Sequence, residues 1–242
     1  MRIRLDQMLV QRGLFDSRAR ARAAIEAGKV TVDGVPARAA SQPVGHDQAV
    51  EAEPAHPWVG RGALKLVHAL ELWPVAVEGR TVLDVGASTG GFTEVCLDRG
   101  AAKVWAVDVG RGQLHPRLAG DPRVVNLEGT DARVLDAELV PEAPGVVVTD
   151  LSFISLTKAL GLALSLAGAG ADLVALVKPQ FEQADRAAVG KGGVVADPDA
   201  RQAALDRVRA WIEGQGWAVR ATAESPIRGG DGNLEFLLWA QK

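Results

Sequence analysis

Short apolar runs, each bounded by glycine, proline or charged residues, recur through the last three quarters of the chain. TVLDV (81–85), KVWAVDV (103–109), RVVNLEG (123–129), GVVVTDL (145–151) and DLVALVK (172–178) are short and rich in β-branched residues, as buried strands are. Longer stretches with helical spacing separate them. WVGRGALKLVHALELW (58–73) predicts a helix with Leu64, Val67, His68 and Leu72 on one side, and GFTEVCLDRG predicts the helix after the first core strand. PDARQAALDRVRAWIEGQGW (198–217) predicts a late helix, with Asp197 as N-cap and Pro198 in its first turn. GWAVRATAESPI and NLEFLLWAQ can pair as antiparallel strands. Strand–helix alternation of this kind predicts an α/β fold, a doubly wound and mostly parallel sheet with an antiparallel C-terminal strand.

The first 57 residues follow a different pattern. Leu5, Met8 and Leu9 share one face of a first helix closed by Gly13. Ser17 can cap a second helix over 18–27, with Ala21, Ala24 and Ile25 on its packing face and Gly28 as its stop. Arg18 and Arg22 then lie on one flank and Arg20 on the other. KVTVDGVPA alternates around Asp33-Gly34, a hairpin signal. Residues 44–52 can add a strand, and the segment to 57 reads as a linker. The expected division is a small α+β domain over 1–57 and a larger α/β domain over 58–242.

Charge sharpens this division. Residues 1–38 hold eight Lys/Arg and four acids, so this head carries +4 while the remainder carries −7. A basic head on an acidic body suggests a polyanionic partner. The lone cysteine, Cys96, allows no internal disulfide and fits a reducing, cytoplasmic setting. MRIRLDQ lacks the apolar core of a signal peptide. The apolar stretch 159–177 is interrupted by Gly168, Gly170 and Asp172, and reads as a buried helix followed by a buried strand instead of a membrane span. His46, His56, His68 and His115 show no metal-ligand spacing, and no metal is expected.

The candidate chemistry sits at the strand ends. DVGASTGGF (84–92) is a glycine-rich turn between a strand and a helix, placed to surround a ligand with backbone N–H groups. Asp108 ends the next strand, 22 residues beyond Gly86, where an acid can bind ribose hydroxyls. The pair suits NAD or S-adenosylmethionine. The absent GxGxxG disfavours NAD, because a pyrophosphate must press against that turn. Asp150 and Lys178 end further strands, Glu235 lies in the last strand region, and Lys65 in the helix before the first core strand. Carboxyl ends of parallel strands converge, so the four can meet beside the ligand. The LSFIS stretch after Asp150 is expected to line the cofactor or substrate pocket, with Phe153 itself in the core.

RLDQMLVQRGLFDSRARARAAIEAGKVTVDGVPA resembles the alpha-L RNA-binding domain of ribosomal protein S four. VGRGALKL, VLDVGASTGGFTEVCL, VWAVDVGRGQL, VVTDLSFISL, LVKPQFE, VGKGGVV and SPIRGGDGNLEF resemble the hemolysin A-like (TlyA) family, which joins such a domain to an FtsJ-like methyltransferase domain. The resemblance implies a Rossmann-like fold and 2′-O-methylation of cytidine ribose in ribosomal RNA, with S-adenosylmethionine as donor. It implies a catalytic tetrad of Lys65, Asp150, Lys178 and Glu235. It implies cofactor contacts from Asp84, Gly86, Ala87, Ser88, Thr89, Gly90, Gly91, Phe92, Asp108, Asp131 and Asp150. Thr89 departs from the proline usual in the wider FtsJ group. For the head it implies RNA contacts, expected from Arg4, Arg18, Arg20, Arg22 and Lys29. The expected partner is ribosomal RNA or a ribosomal subunit, bound by a monomer without a membrane role. Lys178 is the expected general base. A lysine with an ordinary pKa near 10.4 must fall by about 3 to serve near neutrality; burial and Lys65 push it down, Asp150 and Glu235 up. The alternatives are a non-catalytic assembly factor and a membrane-lytic hemolysin.

Overall fold

A computed structural model describes residues 2–184, 189–190 and 192–242. Lys191, within the VGKGGVV stretch, lies outside the described residues. Packing divides the chain into two compact units, Met1–Pro57 and Trp58–Lys242.

The first unit begins with β1 (Arg2–Arg4), α1 (Leu5–Gln11), α2 (Arg18–Glu26), β2 (Val30–Val32) and β3 (Val35–Pro36), and closes with β4 (Pro43–Gly45) and β5 (Val50–Ala52). Ser17 Oγ accepts from the Arg20 N–H, capping α2. Asp33 and Gly34 both take positive φ at the β2–β3 turn, as a type I′ hairpin requires. β5 pairs with β2, and β1 pairs antiparallel with β4. β1 is absent from the sequence expectation because three residues are too few to show a period. Leu5, Met8, Leu9, Ala21, Ala24 and Ile25 are buried in one small core with Val30, Val32 and Val44.

The second unit runs α3 (Ala63–Leu72), β6 (Thr81–Val85), α4 (Gly91–Asp98), β7 (Lys103–Asp108), α5 (Pro116–Ala119), β8 (Val124–Glu128) and a 3-10 turn at Ala132–Val134. It continues with β9 (Val146–Thr149), α6 (Leu156–Ala159), α7 (Gly161–Leu166), β10 (Asp172–Val177), α8 (Pro179–Glu182), α9 (Pro198–Gly214), β11 (Ala218–Glu224) and β12 (Phe236–Gln241). Among the described residues these strands form one seven-stranded sheet in the order β11-β12-β10-β9-β6-β7-β8. β12 is antiparallel to both neighbours, and the strands from β10 to β8 are parallel. The chain leaves β6 through β7 and β8, then returns to place β9 on the other side of β6. That reversal opens a crevice at the carboxyl edge.

Strand alternation sends side chains into two helical layers. Leu83, Val85, Val147 and Leu173 pack toward α6, α7 and α9, while Val82, Val146, Val148 and Val174 pack toward α3 and α4. The 159–177 stretch separates into α7 and β10, and among the described residues no helix is long and apolar enough to cross a membrane.

The face expected for α3 is corrected. Its buried side carries Ala63, Lys65, Leu66 and Ala69, while Leu72 is half exposed. The cause is close helix packing. A Cβ on Gly91 of α4 would lie 3.1 Å from the Ala63 amide nitrogen, so small residues outrank large apolar ones at that contact.

Candidate active site

The residue following a parallel strand stands at the sheet's carboxyl edge. Gly86 follows β6, Asp150 follows β9 and Lys178 follows β10, while Asp108 ends β7. Glu235 reaches the same edge by a different route. It precedes the antiparallel β12, whose first residue, Phe236, is in register with Val177 at the end of β10.

These placements produce an alternating chain of charges. Lys178 Nζ lies 2.6 Å from Asp150 Oδ1 and donates to Ser152 Oγ at 2.7 Å. Asp150 Oδ2 faces Lys65 Nζ at 3.8 Å, and Lys65 Nζ donates to Glu235 Oε2 at 2.7 Å. Lys65, Lys178 and Glu235 are buried, and each charge has an opposite neighbour, as low-dielectric surroundings require. Gly62 lets the start of α3 approach: a Cβ there would come within 3.2 Å of Asp150 Oδ2.

Two adjoining cavities meet at this network. The larger, about 370 Å³, is lined by Gly86, Ser88, Asp108, Gln113, Thr130, Ala132, Phe153 and neighbours. The smaller, about 210 Å³, is lined by Gly60, Arg61, Gly62, Ala87, Thr89, Gly91, Phe92 and Lys178 among others. Gly86, Ser88, Asp150 and Ser152 belong to both. Lys178 and Asp150 therefore face open space, whereas Lys65 and Glu235 line neither cavity and stand behind them.

The glycine-rich turn does not act as expected. The Gly86 and Ala87 amides donate to Val107 O, the Gly90 amide to Ala87 O, and the Ser88 amide to Asp108 Oδ2 at 2.8 Å. Four N–H groups of the loop thus serve the fold. A pyrophosphate would find few donors here, which is a firmer argument against a dinucleotide than the missing motif. Gly86 and Gly90 have φ near +90°, and a Cβ on Gly90 would collide with Leu118. Ser88 shares the left-handed backbone at φ 47, which aims its amide at Asp108.

Asp108 uses Oδ1 for the Gly110 amide at 2.7 Å, so one carboxylate joins the 86–90 turn to the 109–114 loop. Glu128 holds the far side of that loop through the Gln113 and Leu114 amides. Its carboxyl is lowered to about 2, chiefly by the Leu114 N–H.

Three expected cofactor contacts line neither cavity, and four more, Ala87, Thr89, Gly91 and Phe92, line only the smaller one. Asp84 is fully buried within β6, on the face packed against α4, and accepts from Thr93 Oγ1 at 2.7 Å. Burial pushes its carboxyl up to about 7, against the opposing Thr93 hydrogen bond. Gly90 turns the chain into α4 without lining either cavity. Asp131 lies between the lining residues Thr130 and Ala132, but its carboxylate is taken by Arg133 at 2.6 Å and lowered to about 2 by that hydrogen bond.

Phe153, expected in the core, is 90% exposed. Its backbone is left-handed at φ 68, which turns the ring outward at the larger cavity, 5.4 Å from the Phe181 ring. The LSFIS stretch lines the larger cavity as expected, through Leu151, Ser152 and Phe153, whereas Gln113 and Arg61 carry no sequence signal beyond the motifs that contain them.

In the first unit, Arg4, Arg18 and Arg22 gather at the buried Asp6, whereas Arg20 pairs with Asp16 and Lys29 with Glu53.

The model of the FtsJ-like methyltransferase family matches residues 58–242, and that of the S4 domain matches residues 3–50. The chain is 49% identical over 240 residues to the 16S/23S rRNA (cytidine-2′-O)-methyltransferase TlyA of Mycobacterium tuberculosis, covering 98% of this chain and 89% of that one. It is 37% identical to Hemolysin A of Brachyspira hyodysenteriae, covering 97% and 98%. A solved structure from Streptococcus thermophilus, provisionally described as a hemolysin, superposes with a TM-score of 0.78 at 36% identity, covering 100% of this chain and 88% of that one.

Proposed function

The chain belongs to the FtsJ-like methyltransferase family, and from that premise we propose that it methylates the 2′-hydroxyl of cytidine in ribosomal RNA, using S-adenosylmethionine. The reaction is the one named for the 49% identical relative. One observation in this chain carries it: Lys178 Nζ, held by Asp150 and Ser152, stands in the wall of a small cavity that shares four residues with a larger one.

The larger cavity fits the donor. Asp108 supplies an acid for ribose hydroxyls, and Val107, Val109, Ala132 and Leu151 give apolar walls for a base. The loop amides, already spent on protein acceptors, suit a ligand without phosphates. The smaller cavity then receives the target ribose, with Arg61 adding positive charge for the adjoining phosphates.

When bound, S-adenosylmethionine supplies an electrophilic sulfonium methyl. Once its ammonium has given a proton to solvent, Lys178 would take the 2′-hydroxyl proton as the oxygen bonds to the methyl carbon and the donor's carbon–sulfur bond breaks. The products are a 2′-O-methyl ribose, a thioether and a lysine ammonium. Asp150 and Ser152 hold Nζ in place and accept hydrogen bonds from the ammonium. Lys65 and Glu235 steady Asp150 from behind. Holding both reactants in adjoining cavities makes the transfer effectively unimolecular, a large share of the acceleration in such reactions.

Residues 1–57 are assigned to RNA capture and 58–242 to transfer. Arg4, Arg18, Arg20, Arg22 and Lys29 meet phosphates, which give affinity without reading sequence. Incubating the full chain with ribosomal RNA and methyl-labelled donor tests the proposal. Label is expected in 2′-O-methylcytidine; label confined to a methylated base would overturn it.

A further inference from the structure

An acid inside a surface that meets a polyanion subtracts useful charge, yet Asp6 sits at the centre of the head's arginines. It is 0% exposed, in the first turn of α1. Arg4, from the end of β1, donates Nε to Oδ1 at 3.0 Å and Nη2 to Oδ2 at 3.2 Å. Arg18, which opens α2, donates Nη2 to Oδ2 at 2.8 Å and Nε at 3.3 Å. Arg22, one turn later, brings Nη2 to 3.8 Å from the same oxygen. The three side chains remain 41%, 50% and 53% exposed. The hydrogen bonds of Arg4 and Arg18 both use Nε and Nη2, which leaves Nη1 of each directed away from Asp6.

The hydrogen bond from Arg4 is the chief influence holding the Asp6 carboxyl down to about 2, so it stays ionised throughout the physiological range. We propose that Asp6 is the organising residue of a preformed clamp, in which Arg4, Arg18 and Arg22 together offer their outer N–H edges to neighbouring phosphates of an RNA backbone. This rests on the RNA-capture role assigned to residues 1–57. A free arginine side chain loses rotamer entropy when it engages a phosphate, and fixing three of them before binding removes part of that cost. The clamp still presents three positive charges outward against one buried negative charge. Arg20 pairs with Asp16 and Lys29 with Glu53, away from Asp6.

The sign of the effect separates the proposal from simple electrostatics. If charge alone mattered, Asp6→Asn would tighten RNA binding, as Glu26→Gln on the exposed end of α2 should. The test is equilibrium binding of the full chain to a ribosomal RNA fragment, read by fluorescence anisotropy at several salt concentrations. Asp6→Asn is expected to weaken binding about fivefold or more, while Glu26→Gln leaves it equal or tighter. Arg4→Lys keeps the charge but cannot make the two-bond fork, and is expected to weaken binding severalfold with the fold intact by thermal melting. Adding Asp6→Asn to Arg18→Ala/Arg22→Ala is expected to change little, because the groups it organises are mostly gone. Asp6→Asn binding as tightly as Glu26→Gln, or Arg4→Lys binding as wild type, overturns the clamp. If Arg18→Ala/Arg22→Ala binds as wild type, the RNA-capture role itself fails, and the clamp with it.

Discussion

Asp150 places one carboxylate oxygen 2.6 Å from Lys178 Nζ and the other 3.8 Å from Lys65 Nζ. A single acid thus links a lysine in the cavity wall to a lysine behind it. The second is fixed by Glu235 at 2.7 Å. The two lysines are not equivalent, and neither are the two acids.

Ser152 accepts from Lys178 Nζ at 2.7 Å and lines both cavities. Ser152→Ala removes one of the fixed points for Nζ while leaving the ion pair. Its kcat should fall about tenfold with KM little changed, and the pH–rate profile should move, with Ser152→Thr restoring most of both. An unchanged pH profile would assign Ser152 a purely structural part.

Glu235→Gln leaves Lys65 buried beside a neutral amide. Breaking a buried pair on one side costs on the order of 3 kcal/mol, visible as a lower denaturation midpoint. Activity should fall as well, since Asp150 loses its backing. A variant as stable as wild type would show that Lys65 relies on Asp150 alone.

Asp108→Ala removes the acid expected to hold the donor's ribose, and also the acceptor for the Ser88 and Gly110 amides. Affinity for S-adenosylmethionine should fall by about 10- to 100-fold by calorimetry. RNA binding should stay within experimental error. Undiminished donor affinity would place the donor elsewhere.

Asp84 gives a pH signature. Its carboxyl titrates near 7 in the folded protein, against about 3.9 when unfolded, so folding tightens the proton. The resulting stability is full below about pH 4 and is lost as pH rises through 7. Asp84→Asn removes this dependence, so its Tm relative to wild type should climb between about pH 4 and 7 and level off above. Parallel Tm curves across that range would contradict the assignment.

Much of the site was legible because the rule behind it is local. A charged residue directly after an apolar strand marks the carboxyl edge, as Asp150 and Lys178 do. Glu235 belongs with them only through the register of an antiparallel strand. Asp84 departs from its expected place for a reason that alternation contains: it shares the face of Val82, beneath α4, and cannot reach the edge. Phe153 departs from its expected place because an aromatic residue among Leu, Ile and Ser signals core, and only its left-handed backbone turns it outward. The face of α3 escaped because hydrophobicity favours Leu64 and Val67, whereas close packing on Gly91 favours Ala63. That Asp6 gathers three arginines depends on contacts between β1, α1 and α2, which no sequence spacing reveals.

The most direct measurement compares Lys178→Ala with wild type in two assays on the same preparation. One follows labelled methyl transfer to cytidine in ribosomal RNA, and the other donor affinity by calorimetry. Transfer should fall by about 1000-fold or more while donor affinity changes by less than about threefold. Methylation at the wild-type rate by Lys178→Ala would contradict its role as the group that takes the 2′-hydroxyl proton.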